Sequence, residues 1–128
     1  MELGAFSMSL AVADVERSAA FYEKLGFARV GGFPEDGWII LRNDTLTLGV
    51  FQGHIPENML TFNPGWTVAA EAKDTFTDVR DIQAALEAKG LTIEIPTDAE
   101  GTGPAHIMLR DPDGNQVFID QHVPRSQS

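Results

Sequence analysis

Displaced by 64 residues against itself, the chain matches at its punctuation points: Asp14-Val15 falls on Asp78-Val79, Ala20 on Ala84, Glu23 on Glu87 and Gly26 on Gly90. A short carboxylate ahead of an amphipathic run accepts hydrogen bonds from the free amides of a first helical turn, so Asp14 and Asp78 read as N-caps. Gly26 and Gly90 suit the position after a helix end, where the backbone turns left-handed. Between cap and glycine, Ser18, Phe21, Tyr22 and Leu25 form one helical stripe, and Val79, Ile82 and Leu86 form its counterpart. The spacing predicts a helix over 15–25 and another over 79–89.

Extended segments precede each helix, from Phe6 to Ala13 and from Thr67 to Thr77. Strand-like runs follow, from Phe27 to Phe33, Trp38 to Leu41 and Thr45 to Gln52 in the first half, and from Leu91 to Ile95, Ala105 to Leu109 and Gln116 to Asp120 in the second. Turn residues separate them, notably Pro34-Glu35-Asp36-Gly37, Asn43-Asp44 and Asp111-Pro112-Asp113-Gly114. The pattern predicts an α+β domain of eight strands and two helices in two tandem βαβββ modules. Module one covers about 4–52, a linker about 53–65 and module two about 66–123.

With 128 residues, 43% of them hydrophobic, the chain can build one proper core but not two independent domains. It has no cysteine, which excludes disulfides, thiolate metal sites and cysteine nucleophiles. No apolar run approaches a membrane span and the first residues lack a basic leader, so a cytoplasmic protein is expected. The net charge of -10 argues against nucleic acid and anionic membrane as partners and leaves cationic or neutral small ligands open. Neither a Gly-x-Ser-x-Gly elbow nor a phosphate- or dinucleotide-binding fingerprint is present.

The run Ser18-Ala19-Ala20-Phe21-Tyr22-Glu23-Lys24-Leu25-Gly26-Phe27 resembles the first-helix signature of the vicinal oxygen chelate superfamily of glyoxalases, bleomycin-resistance proteins and dioxygenases. Asp111-Pro112-Asp113-Gly114-Asn115 resembles that superfamily's last-hairpin signature. The resemblance implies curled module sheets forming a concave cleft, frequent pairing as a homodimer and, in metal-dependent members, an ion held by the first and last strands of each module. Carried over by offset, the ligand positions fall on Ser7, near Gly49, on Glu71 and on Phe118. Only Glu71 offers a metal ligand of the usual kind.

Two functions stand against each other on these residues. The first resembles the bleomycin-resistance branch: a small-molecule-binding protein without a metal cofactor, its ligand aromatic and, as one option, cationic, bound by Ser7, Trp38, Gly49, Phe51, Glu71, Phe118 and Asp120. The second is a glyoxalase-like lyase or isomerase, or a dioxygenase, using Glu71 as general base or an atypical divalent-metal set of Glu71, Asp120 and His122. An interaction module with a closed cleft is a third option. Core packing is the favoured role for Phe51 and serves equally well for Trp38 and Phe118, as an exposed pair with Lys73 does for Glu71. Surface or hydrogen-bonded roles are favoured for His54 and His106, and a solvated position beside the polar tail Pro124–Ser128 for His122.

Overall fold

The computed structural model of the chain describes residues 1–125, so the last three residues of the polar tail lie outside the described residues. Helix α1 (Val15–Glu23) and helix α2 (Val79–Ala88) begin where their aspartates stand. Asp14 is extended and its carboxylate accepts the Arg17 amide at 3.1 Å; Asp78 is extended and accepts the Arg80 amide at 2.9 Å. The first amide of each helix finds a further acceptor in a distant glutamine, Gln52 for Val15 at 2.9 Å and Gln121 for Val79 at 2.7 Å. Free amides at a helix start are thus satisfied from two directions.

Strands β1 (Ala5–Ala11), β2 (Ala28–Phe33), β3 (Trp38–Asn43), β4 (Leu46–Phe51), β5 (Met59–Asn63), β6 (Ala105–Arg110) and β7 (Gln116–Gln121) form a mixed sheet in the order β2-β3-β4-β1-β5-β7-β6. The first half keeps the expected strand, helix and three strands. The second departs from expectation twice. Strand β5 lies in the segment read as a linker, and 67–77 forms no strand. The Trp66 amide donates to the Asn63 carbonyl, the Thr67 amide to that of Glu71 and the Lys73 amide to that of Gly65. The chain therefore doubles back on itself there instead of extending.

The expected strand over 91–95 is reduced to a single bridge between Ile95 and Met108. Its start is held by the end of α2, where the Leu91 amide donates to the Leu86 carbonyl, and Pro96 follows with no amide hydrogen to continue a ladder. Among the described residues, seven strands stand in place of eight.

Two packing units account for the chain. Ser7–Met59 forms one, and Met1–Phe6 together with the residues from Leu60 onward forms the other. In the first, Val15 and Ala19 of α1 pack with Ile39, Leu41 and Val50, backed by Leu10 and Leu48. The buried stripe of α1 is therefore Val15, Ala19 and Tyr22, and the expected Phe21 and Leu25 are exposed. Small Ala19 lets the helix approach the strands, which turns the larger Phe21 outward. In the second unit, Val79 and Ile82 of α2 pack with Ile107, Leu109 and Ile119, joined by Leu86 as the sequence pattern predicts, and by Phe62 of β5. Each fully buried aliphatic side chain contributes about 1.5–3 kcal/mol.

The first six residues are tied into the second unit. The Glu2 amide lies 3.4 Å from Thr77 Oγ1, Lys73 Nζ lies 3.5 Å from a Glu2 carboxylate oxygen, and Asn63 Nδ2 donates to the Ala5 carbonyl at 3.4 Å. Gly4, with φ +76, passes so close to Asn63 and Pro64 that any side chain would meet their backbone. Among the described residues no helix is long and apolar enough to cross a membrane.

Candidate functional site

In the unit of Ser7–Met59, strand alternation sorts side chains onto two faces. Ile39, Leu41 and Val50 turn to α1. The opposite face of the β3–β4 ladder is built from three cross-strand pairs, Trp38 with Phe51, Ile40 with Gly49, and Arg42 with Thr47. Parallel strand β1 sets Ser9 beside Gly49 and Ala11 beside Phe51, and Ser7 has the same parity. Four residues singled out from the sequence, Ser7, Trp38, Gly49 and Phe51, thus share one face.

The Trp38 and Phe51 rings are parallel to within 5°, with centroids 6.4 Å apart. A methyl group on Gly49 would meet Cε2 of Phe51 at 2.6 Å, Cζ at 3.0 Å and Cδ1 of Ile40 at 3.3 Å. The Phe51 ring therefore lies over the Gly49 backbone, and the missing side chain is what lets it do so. Arg42 closes the row, its Nε donating to Thr47 Oγ1 at 3.3 Å.

In the other unit, β6 and β7 pair His106 with Asp120 and Met108 with Phe118. Phe118 and Asp120 share the face away from α2, as their parity predicts, and the His106 ring lies 5.2 Å from that of Phe118. Asp120 is engaged by its neighbour: its Oδ2 lies 3.0 Å from His122 Nε2. Trp66 stacks on the His122 ring at 4.2 Å and 7°. The Asp120 hydrogen bond outweighs burial and raises the His122 pKa above its ordinary value. His122 is thus a paired and stacked residue.

Glu71 lies in the loop after Trp66, not in a strand, and is exposed. Its amide lies 3.3 Å from Thr67 Oγ1, and Lys73 pairs with Glu2. The offset from Asp78 that singled out Glu71 presumes a strand directly ahead of α2. The strand that precedes α2 is β5, whose buried polar residues are Thr61 and Asn63. His54 Nε2 lies 2.6 Å from the Asp36 carbonyl oxygen, which accepts its hydrogen, the hydrogen-bonded role expected of it.

The residues present do not fit a resident metal. Gln52 and Gln121 cap α1 and α2 in the same way, which makes Gly49 and Phe118 equivalent, each three residues earlier. Neither can ligate, and Ser7 supplies only a hydroxyl. Among the described residues no three His, Asp or Glu side chains come together in a way that could hold a metal ion.

Arg42 and Trp66 were not picked out by sequence reasoning. Arg42 was legible, because it continues the parity of Trp38 and Ile40. Trp66 follows Pro64-Gly65 in a loop and carries no periodic signal.

No curated protein matches the sequence. Among solved structures, the chain is similar to one described as an NAD-dependent benzaldehyde dehydrogenase from Legionella pneumophila, at 18% identity and TM-score 0.65, covering 91% of this chain and 98% of that one. It is also similar to a glyoxalase/bleomycin resistance protein/dioxygenase superfamily member from Vibrio splendidus, at 15% identity and TM-score 0.61, covering 91% and 97%. Homoprotocatechuate 2,3-dioxygenase from Brevibacterium fuscum matches at 14% identity and TM-score 0.55, covering 95% of this chain and 34% of that one. At these identities the likeness is one of fold. Residues 4–119 match the Glyoxalase/Bleomycin resistance protein/Dioxygenase superfamily, and the chain belongs to it.

Proposed function

We propose that this protein binds a small molecule with an aromatic ring and does so without a resident metal. The observation that carries the reading is the Phe51 ring laid over Gly49 beside the parallel ring of Trp38. It makes a flat apolar surface at the strand position where a metal-dependent relative would need a ligand. Each well-placed ring contact adds about 0.5–1.5 kcal/mol beyond area burial.

The cationic option has weaker support than the aromatic one. Asp120, an acid named for it, is already matched by the His122 imidazole, and Glu71 is an exposed loop residue. The enzymatic reading, with Glu71 as base or metal ligand, meets the same difficulty.

The test is a thermal-shift screen of planar aromatic compounds against aliphatic compounds of equal size, run beside metal analysis of protein purified without chelator. A ligand of the native state must raise the melting temperature. The expected result is a rise confined to aromatic compounds and lost in Phe51→Ala, with metal far below one equivalent. A stoichiometric divalent ion, or a rise indifferent to aromaticity, would sink the reading.

A further inference from the structure

One residue on the Phe51 face carries a charge, and it is positive. Arg42 is half-buried, and its Nε is held by Thr47 Oγ1 at 3.3 Å. Among the described residues its guanidinium makes no ion pair. Arg29 meets Glu16 and Glu23, Arg80 and Arg125 meet Asp78, and Arg110 meets Glu94, while Arg17, with no ion pair among the described residues, is exposed where Arg42 is half-buried. In a chain of net charge -10, an arginine matched only to a neutral hydroxyl is held away from abundant carboxylates.

Its place in the ladder gives that cation a use. The Arg42–Thr47 pair is next along the same face to Ile40–Gly49, over which the Phe51 ring lies. Successive pairs on one face are about 7 Å apart, roughly the reach of a carboxylate on the edge of a bicyclic aromatic ring system together with a hydrogen bond of about 2.8 Å to it. A guanidinium fixed through Nε keeps its two Nη groups for a planar anion, and a carboxylate matches that fork.

We propose that Arg42 binds the carboxylate of an aromatic acid whose ring rests on Phe51, so that the ligand class is aromatic carboxylates and not aromatic cations. The inference rests on the reading of this face as the ligand surface.

The experiment titrates the full chain with naphthoate, its neutral amide and the naphthylmethylammonium cation. Affinity is read by calorimetry and location by the amide shifts of Gly49 and Phe51. Naphthoate should bind about tenfold or more tighter than the amide, and the cation weakest, since a hydrogen bond to a charged group is worth at least that factor. Arg42→Gln should remove the preference for the acid, so that naphthoate binds no tighter than the amide, and Arg42→Lys should restore part of the preference. If native protein binds amide or cation as well as the acid, the Arg42 assignment is overturned and the aromatic surface stands. If none of the three shifts Gly49 and Phe51, the aromatic surface falls and the assignment with it. The comparison on native protein decides even if Arg42→Gln folds poorly.

Discussion

Gln121 accepts the Val79 amide hydrogen at 2.7 Å from a fully buried side chain, and Gln52 does the same for Val15 at 2.9 Å from an exposed one. The Gln121 amide also donates to Asp78 Oδ2 at 2.8 Å and to the Val123 carbonyl at 3.0 Å. Gln121→Leu would take the acceptor from the buried Val79 amide and a donor from both Asp78 and the half-buried Val123 carbonyl, whereas Gln52→Leu would remove one part-buried bond. Denaturant unfolding should show a loss of about 2–4 kcal/mol for Gln121→Leu and under about 1 kcal/mol for Gln52→Leu. Equal losses would contradict this account of the caps.

Burial pushes the Asp78 carboxyl up, but hydrogen bonds from Gln121 and from the Arg80 amide and guanidinium outweigh it and hold the pKa below the usual carboxylate value. A depressed native pKa gives stability that is present above the unfolded-state pKa and lost as pH falls through the native one. Asp78→Asn should therefore cost most at neutral pH, and its difference from native protein should shrink on acidification. Urea midpoints at neutral pH and near pH 3 would check this, and a constant difference would refute it.

His122 runs the other way. Asp120 raises its pKa, so the pair adds stability that is fully present below the ordinary histidine value and lost as pH rises through the raised one. The groups in contact with it are Asp120, which stands opposite His106 across the β6–β7 ladder, and the Trp66 ring. An NMR titration should find the His122 pKa above that of exposed histidine, and Asp120→Asn should bring it down. Asp120→Asn should destabilise the protein more at pH 5 than at pH 8.5.

Gly49→Ala sets a methyl group 2.6 Å from the Phe51 ring, with no backbone strain because the glycine does not have a positive φ. The ring must swing away, at a cost of about 1–3 kcal/mol. Aromatic ligands should bind Gly49→Ala more weakly. The double variant Gly49→Ala, Phe51→Ala should lose less stability than the two single losses added together, and strict additivity in that cycle would mean the two residues do not press on each other.

How much could be read in advance follows from where the information sits. The helix starts were legible because an aspartate cap acts on residues two or three away, and the Phe51 face because strand parity needs only a count of two. The second half was misread because the repeat was assumed to be rigid. Helices are offset by 64 residues, but the capping glutamines, Gln52 and Gln121, by 69, so lengths between elements differ. With Asp78 as ruler, the strand ahead of α2 was set on 67–77, and Glu71 inherited a position that belongs to β5. The stack of Trp66 on His122 joins residues 56 apart in sequence, and nothing local in either one announces it.

The first six residues belong with partners that follow Leu60, and Glu2 reaches across 75 positions to Thr77. A ribosome releases them long before those partners exist, so the opening hexapeptide must wait, unfolded, while Ser7–Met59 can already close on its own contacts. Closing so long a loop costs chain entropy before its contacts repay it, so the docking of this segment is expected late in folding. A chain started at Ser7 should therefore leave the early-made unit nearly intact and weaken the one made last, so that damage at the beginning of the chain is felt at its end.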